Sequence, residues 1–493
     1  VRVSLVLAGF ILLAGCLGSN GPAATPAPGS PSFGALTGDS PPGCDASRPA
    51  LVHGPNGAPV AWDGPVGIPC LVTTVWGTGE PSMGLTSDGT LFLYPSEQAP
   101  NEALTPAEQF TGLAMARSQD SGKTFTRQFS EVAGEANWHP YTADPFMYVD
   151  PYTDRVFMED LAAPPFNCSN LSYSDDGGDT WTQSVGGCLV WDHVGYGSGP
   201  STLGDLDGYP AVLQRCAITY VMTTVISEAS GCQKSLDGGA TWQPPGDPAF
   251  LFGSNGQPYV PSTCNGAVHH VFVDHRGWTW LGRGWCGSDG RNDPYVALSK
   301  DEGATWTRFR IDDEAAAGHD VGVGVDPNGT VYAFWTRASD RLPVLAVSHD
   351  DGTTWSEPIV VAAPGVTSAG SISIAPGGVG KAALFYAATV KSDGGKTVQG
   401  VAAAAYGLDG PSPVFQSAFV STTDEPLQAG NCADGFCDGQ ADFLDASVSP
   451  DGTAWGSFVK EDKLSAGRIW GAPSLWDADD PNGVYGGWTS LVS

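Results

Sequence analysis

The chain is 493 residues long, too long for one small core, so it must build several domains or one large repeat architecture. Its 53 acidic residues outnumber 22 basic ones, and the resulting net charge of -31 repels phosphate backbones and excludes nucleic acid as a partner. Only 15% of residues are charged, while 66 are Gly, 39 Pro and 16 Trp, a balance that favours short strands and tight turns and is too aromatic for a disordered chain.

At the start of the chain, Arg2 precedes an apolar run, Val3 to Leu13, that is short for a bilayer span. The sequence Leu13-Ala14-Gly15-Cys16 follows and resembles the lipobox of bacterial lipoproteins. The resemblance implies a signal peptide over 1–15, with Cys16 as the lipidated first residue of the mature chain. Residues 16–45 are rich in Pro, Gly, Ala and Ser and read as a tether. The folded part is expected over 46–493, exported and held at the cell surface or outer face of a membrane by lipid alone.

The ten remaining cysteines are an even number, as an oxidising compartment favours. Cys168 and Cys188 flank a turn at Gly177-Gly178, and Cys264 and Cys286 flank one at His275-Arg276-Gly277. Cross-strand neighbours come close enough to bridge. The expected pairs are Cys44–Cys70, Cys168–Cys188, Cys216–Cys232, Cys264–Cys286 and Cys432–Cys437. The last spacing lacks the second pair or neighbouring His that a zinc site would need.

Five segments share the pattern Ser-x-Asp-x-Gly-x-Thr-aromatic. They begin at Ser118, Ser174, Ser235, Ser299 and Ser348 and end at Phe125, Trp181, Trp242, Trp306 and Trp355. Successive starts are 56, 61, 64 and 49 residues apart, the mark of a solenoid or a propeller. The residue types suit a hairpin turn: Asp accepts from turn N–H groups, Gly tolerates positive φ, and the aromatic ring anchors the turn to a core. The motif resembles the Asp box, or BNR repeat, of the sialidase superfamily.

Between the boxes lie paired apolar strands, at Met83–Tyr94, Phe146–Met158, Tyr209–Tyr220 (weakly marked), Val268–Leu281, Val321–Trp335, Ser371–Tyr386 and Phe443–Phe458. Turn signals punctuate them, among them Asp88-Gly89, Asn328-Gly329, Gly377-Gly378 and Asp451-Gly452. The sixth pair is followed by a degenerate box near Asp409-Gly410 and the seventh by none. The expected fold is an all-β propeller of seven four-stranded blades, with Pro69–Trp76 lending a strand to close the last one. Six blades and a stretched two-sheet sandwich are the alternatives.

The resemblance places a ligand site where the innermost strands begin. Counting six residues back from Thr86, Asp150 and Asp326 at three equivalent turns reaches Glu80, Asp144 and Asp320. Asp442 and Asp445 fall near this column in the last blade, and His139 and His319 lie beside it. Clustered carboxylates raise one another's pKa and suit acid and base work on a glycosidic bond. They also suit Ca2+; no other cofactor is expected. The loop from Asp477 starts like a calcium-binding EF-hand, but Pro481 and Trp488 occupy positions that require oxygen ligands.

The chain departs from the sialidase pattern. Gly79 stands where those enzymes place an Arg, the last strand pair has no Tyr, and Arg283 and Arg337 alone do not make a carboxylate clamp. The reading is therefore a propeller that binds a glycan at its central funnel. A glycoside hydrolase or polysaccharide lyase using Glu80, Asp144 and Asp320 is the enzymatic alternative, and a scaffold for a surface protein the third.

Overall fold

The computed structural model describes residues 41–75, 79–94, 114–129, 146–161, 169–185, 191–222, 226–251, 271–286, 291–429, 444–461 and 463–477. Their strands form seven antiparallel sheets, the blades of a propeller. The innermost strands are Ser82–Leu85, Phe146–Val149, Trp191–Gly199, Phe272–Val273, Ala316–Val325, Val366–Pro376 and Ala446–Val448, in blades 1 to 7. Each touches the innermost strand of the next blade, and the seventh returns to the first, so seven spokes surround one axis.

The N-terminal segment closes the ring. Ile68–Thr73 runs antiparallel to Lys463–Trp470 as the outer strand of blade 7, with Cys70 opposite Arg468. This is the closure expected of Pro69–Trp76, shifted by one residue at its start. Just upstream, Leu51–His53 adds to the outside of blade 6 through Val414–Phe419, and Gln428–Ala429 also pairs in that sheet, which therefore has six strands rather than four.

Strand alternation gives each blade two apolar faces, and the core divides into seven layers, one per blade-to-blade seam. Large rings such as Trp280 and Trp335 are fully buried. In blade 6 the small side chains of Ala402, Ala403, Ala404 and Ala405 let neighbouring sheets approach.

The five Ser-x-Asp-x-Gly-x-Thr segments are the turns between the third and fourth strands of blades 1 to 5. In each, the Ser hydroxyl accepts the Gly N–H at 2.8–2.9 Å and the Asp carboxylate accepts the Thr hydroxyl at 2.6–2.7 Å. The Gly φ lies between 83 and 89°, a region open to glycine. Burial raises the carboxyls of Asp120, Asp176, Asp237 and Asp301, but the turn hydrogen bonds outweigh it and hold them below their ordinary value.

The scarce basic residues are used at the seams. Arg117 reaches Gly177 O and Asp179 of the next blade's turn, Arg155 reaches Gly238 O, Lys234 reaches Glu302, and Arg276 reaches Asp351. Four consecutive seams thus each carry at least one cation contact.

Two disulfides, Cys44–Cys70 and Cys216–Cys232, are formed as expected. Cys16, Cys168, Cys188, Cys264, Cys432 and Cys437 lie outside the described residues, as does the side chain of Cys286. Disulfides belong to oxidising compartments, and no described helix is long and apolar enough to cross a membrane.

One expected strand pair is corrected. The first strand of blade 3 is Trp191–Gly199, well before Tyr209, and Val212–Met222 is the second. A long loop separates them, held by the Glu302 carboxylate, which accepts from Ser201 Oγ, Thr202 N and Leu203 N at 2.7, 2.8 and 3.1 Å. The Asx-Gly step in this loop, Asp207-Gly208, stands beside the second strand and not in a tight hairpin, so it does not mark where the first strand ends. In blade 4 the described inner strand is Phe272–Val273, and the expected start at Val268 lies outside the described residues.

Candidate functional site

All seven inner strands line a central cavity of about 380 Å³. Its wall is largely apolar and aromatic: Met83, Met147, Tyr148, Val273, Val323 and Ile374 come from five different blades of the ring. Along the axis it runs toward the face that carries the inner turns, where His275, Pro327 and Trp476 form part of its edge.

The turns provide a ruler. Thr86, Asp150, Asp274, Asp326, Gly377 and Ser449 each donate the equivalent turn N–H, to a carbonyl four or five residues on, at 2.9–3.1 Å. In blade 3, a Cβ on Gly197 would meet Val271 and Val273, just as one on Gly84 would meet Met147 and Val149. That packing places Gly199 at the Asp150 position. Six residues back from these seven positions stand Glu80, Asp144, His193, Val268, Asp320, Ser371 and Phe443, of which 80, 193, 320 and 371 are described.

All four described positions sit on irregular backbone. Glu80, His193 and Ser371 have left-handed φ of 43, 53 and 35°. Register shifts lie between Asp192 and Gly195, between Ala316 and Val321, and between Gly370 and Ile372, bracketing His193, Asp320 and Ser371. A non-glycine residue in this region costs on the order of 1–3 kcal/mol and persists when its surroundings require it. Bulges re-aim side chains at the rims of closed sheets. Three blades thus break their inner strand at this count, blade 1 has left-handed Glu80 just before its own strand starts at Ser82, and the level carries two carboxylates, an imidazole and a hydroxyl.

The cavity wall begins three or four residues from the turns, at Phe146, Val271, Val323, Ile374 and Asp445. The polar level therefore lies two to three residues beyond it, about 7–10 Å along the strand. Glu80 and Asp320 are not part of the cavity wall. Asp445 is, and its carboxylate accepts Met83 N at 3.0 Å and Ala446 N at 2.9 Å, which ties blade 7 to blade 1 at the closing seam.

Among the other expected site residues, Arg283 is fully buried on the second strand of blade 4 and donates to Ser230 Oγ of blade 3. Arg337 ends the second strand of blade 5 and pairs with Asp340 and Glu314. Neither arginine is on an innermost strand. His139, Asp144 and Asp442 and the side chain of His319 lie outside the described residues. No group of three or more His, Cys, Asp or Glu suited to a metal ion occurs among the described residues.

Sequence reasoning missed His193 and Ser371. Ser371 was within reach, because Gly377-Gly378 marks its turn and six residues back is the same count. His193 was not, because a long loop, and not a tight turn, joins the first two strands of blade 3.

A second buried polar group stands beside the channel. Glu159 accepts Arg215 Nε at 2.8 Å and also bonds Arg215 Nη2 and Tyr196 OH, while Arg215 Nη1 donates to Gln233 Oε1 at 3.0 Å. Glu159 and Arg215 are fully inaccessible and Tyr196 nearly so. Burial, reinforced by the Glu159 charge, pushes the Tyr196 hydroxyl well up, so it stays a proton donor rather than becoming a phenolate nucleophile. Nearer the turns, burial likewise raises the Asp150 carboxyl, against hydrogen bonds from Ser198, Tyr209 and Thr153.

No family model matches the chain, and no curated protein does. Solved structures resemble it at low identity. A protein of unknown function from Dyadobacter fermentans is 14% identical, with 87% of this chain and 99% of that one covered and a TM-score of 0.43. An α-L-arabinofuranosidase from Fusarium graminearum is 17% identical, covering 67% and 96%, at 0.41. An intramolecular trans-sialidase from Ruminococcus gnavus is 15% identical, covering 83% and 96%, at 0.36. At such identities none of these likenesses speaks to the chemistry of this chain.

Proposed function

We propose that the chain is an exported, lipid-anchored propeller that binds a neutral glycan where its inner strands begin, at the level of Glu80, His193, Asp320 and Ser371. The observation that carries this reading is the coincidence of backbone irregularity at one height in four blades. Left-handed residues and bulges in the same register on separate blades are more than any single turn needs, and such strain gathers at ligand sites. Carboxylates and an imidazole there offer acceptors and donors for sugar hydroxyls. The net charge of -31 opposes an anionic sugar and favours a neutral one.

An enzymatic reading rests on Glu80 and Asp320, two carboxylates at one level of the same funnel, with Asp144 at the equivalent position of blade 2. One experiment separates the two. The full chain is applied to a glycan array and incubated with a panel of neutral polysaccharides. Binding without release of reducing or unsaturated ends, weakened at least tenfold by Asp320→Asn, supports the binding protein. Release abolished by Asp320→Asn or Glu80→Gln supports the enzyme. Neither binding nor release on any glycan overturns both readings.

A further inference from the structure

The central cavity is unlike the polar level beyond it. The polar groups on its wall are largely satisfied by protein: Tyr148 OH and Ser198 Oγ share a 2.7 Å hydrogen bond, Ser198 Oγ also bonds Asp150 at 2.5 Å, and both Asp445 oxygens accept backbone N–H groups. What remains is apolar surface from Met83, Met147, Val273, Val323, Val325 and Ile374. A cavity with that lining binds water poorly and apolar groups well. At about 380 Å³ it falls within the range of ~300–1,000 Å³ in which small-molecule sites are found.

We propose that this cavity takes the apolar part of an amphipathic ligand, an alkyl chain or aromatic ring, whose polar part sits at the Glu80–His193–Asp320–Ser371 level. This deepens the glycan reading and, for the polar half of the ligand, rests on it: the ligand class becomes a glycoside or glycolipid with an apolar aglycone. The spacing supports a single molecule spanning both regions. Two to three residues of strand, about 7–10 Å, separate the polar level from the first apolar ring of the wall.

The test uses the full chain and two probes. The first is N-phenyl-1-naphthylamine, an apolar fluorophore with no sugar. The second is a methyl-to-hexyl series of alkyl glycosides built on the sugar that the glycan array selects. The fluorophore is expected to bind one per chain and to be displaced by the hexyl glycoside. Affinity is expected to rise about fourfold per methylene that reaches the cavity. Filling the cavity from blade 7 with Ser447→Trp or from blade 6 with Ala375→Phe should abolish fluorophore binding and flatten the alkyl series. If neither variant folds, competition between hexyl glycoside and fluorophore on the unaltered chain reads the same shared site. Fluorophore binding with no glycoside binding overturns the glycan reading and leaves the apolar site standing. Methyl and hexyl glycosides of equal affinity, or a fluorophore that does not bind or ignores both substitutions, overturn the cavity proposal and leave the glycan reading intact.

Discussion

Replacing Arg215 by Met is the sharpest test of how the seam between blades 2 and 3 is held. Arg215 lies on the second strand of blade 3 and Glu159 on the second strand of blade 2, and neither side chain has any solvent exposure. Met keeps most of the volume but deletes the guanidinium that donates to both Glu159 oxygens and to Gln233. Of the donors to Glu159 named above, Tyr196 alone would be left facing its buried carboxylate. Breaking one side of a buried pair costs about 3–5 kcal/mol, chiefly because the other charge stays desolvated. Arg215→Met combined with Glu159→Met removes both charges, and its cost should fall to about 1 kcal/mol or less, giving a coupling energy of at least ~2 kcal/mol. Guanidinium unfolding of the four proteins at pH 7 measures this. A single-variant cost below ~1 kcal/mol, or a double variant as costly as the two singles added, would refute the claim that the pair works as one buried unit.

Four further outcomes follow from the fold. Asp301→Ala deletes the bonds to Thr305 N, Thr305 Oγ1 and Ser299 Oγ, and thermal or urea unfolding should show a loss of about 1–3 kcal/mol. Since Asp120, Asp176, Asp237 and Asp301 have folded pKa values below their unfolded ones, their stabilisation is present above pH ~4 and is lost as pH falls below it; acid titration of the midpoint should steepen there. His53, buried against Phe415 and bonded to Ser417, has its pKa lowered by burial, against the raising effect of its bond to Gly54 O. The unfolded chain then binds the proton first, so stability is full above pH ~6.5 and declines below it, and His53→Phe should remove that slope. Finally, Cys216→Ala with Cys232→Ala opens a bridge of sequence separation 16, and the denaturation midpoint should fall by an amount equivalent to about 3 kcal/mol.

The polar level shows where sequence reading reaches its limit. Glu80 and Asp320 were legible because a tight turn follows each inner strand at a fixed count, and Asp88-Gly89 and Asn328-Gly329 mark those turns. The same count from Gly377 leads to Ser371, but a serine in an apolar strand carries no chemical signal until its left-handed φ is seen. His193 stayed hidden because the blade 3 loop is fastened by Glu302, a residue about a hundred positions away on another blade.

The cavity was not legible at all. The sequence suggested a carboxylate-lined funnel, yet a side chain on an inner strand can face the axis, a neighbouring blade or a backbone N–H, and alternation alone does not choose. Asp445 is the plainest case: an acidic residue near the column proves to be a brace for Met83 N across the closing seam.

What the amino-acid order determined by itself is the repeat and the outer turns of five spokes. Those depend on local chemistry repeated five times, Ser, Asp, Gly and Thr bonding within one short segment. The apolar well and the height at which the inner strands turn irregular were decided by tertiary structure. Each requires residues far apart in the chain to meet around an axis, and only blade-to-blade packing determines which of them do.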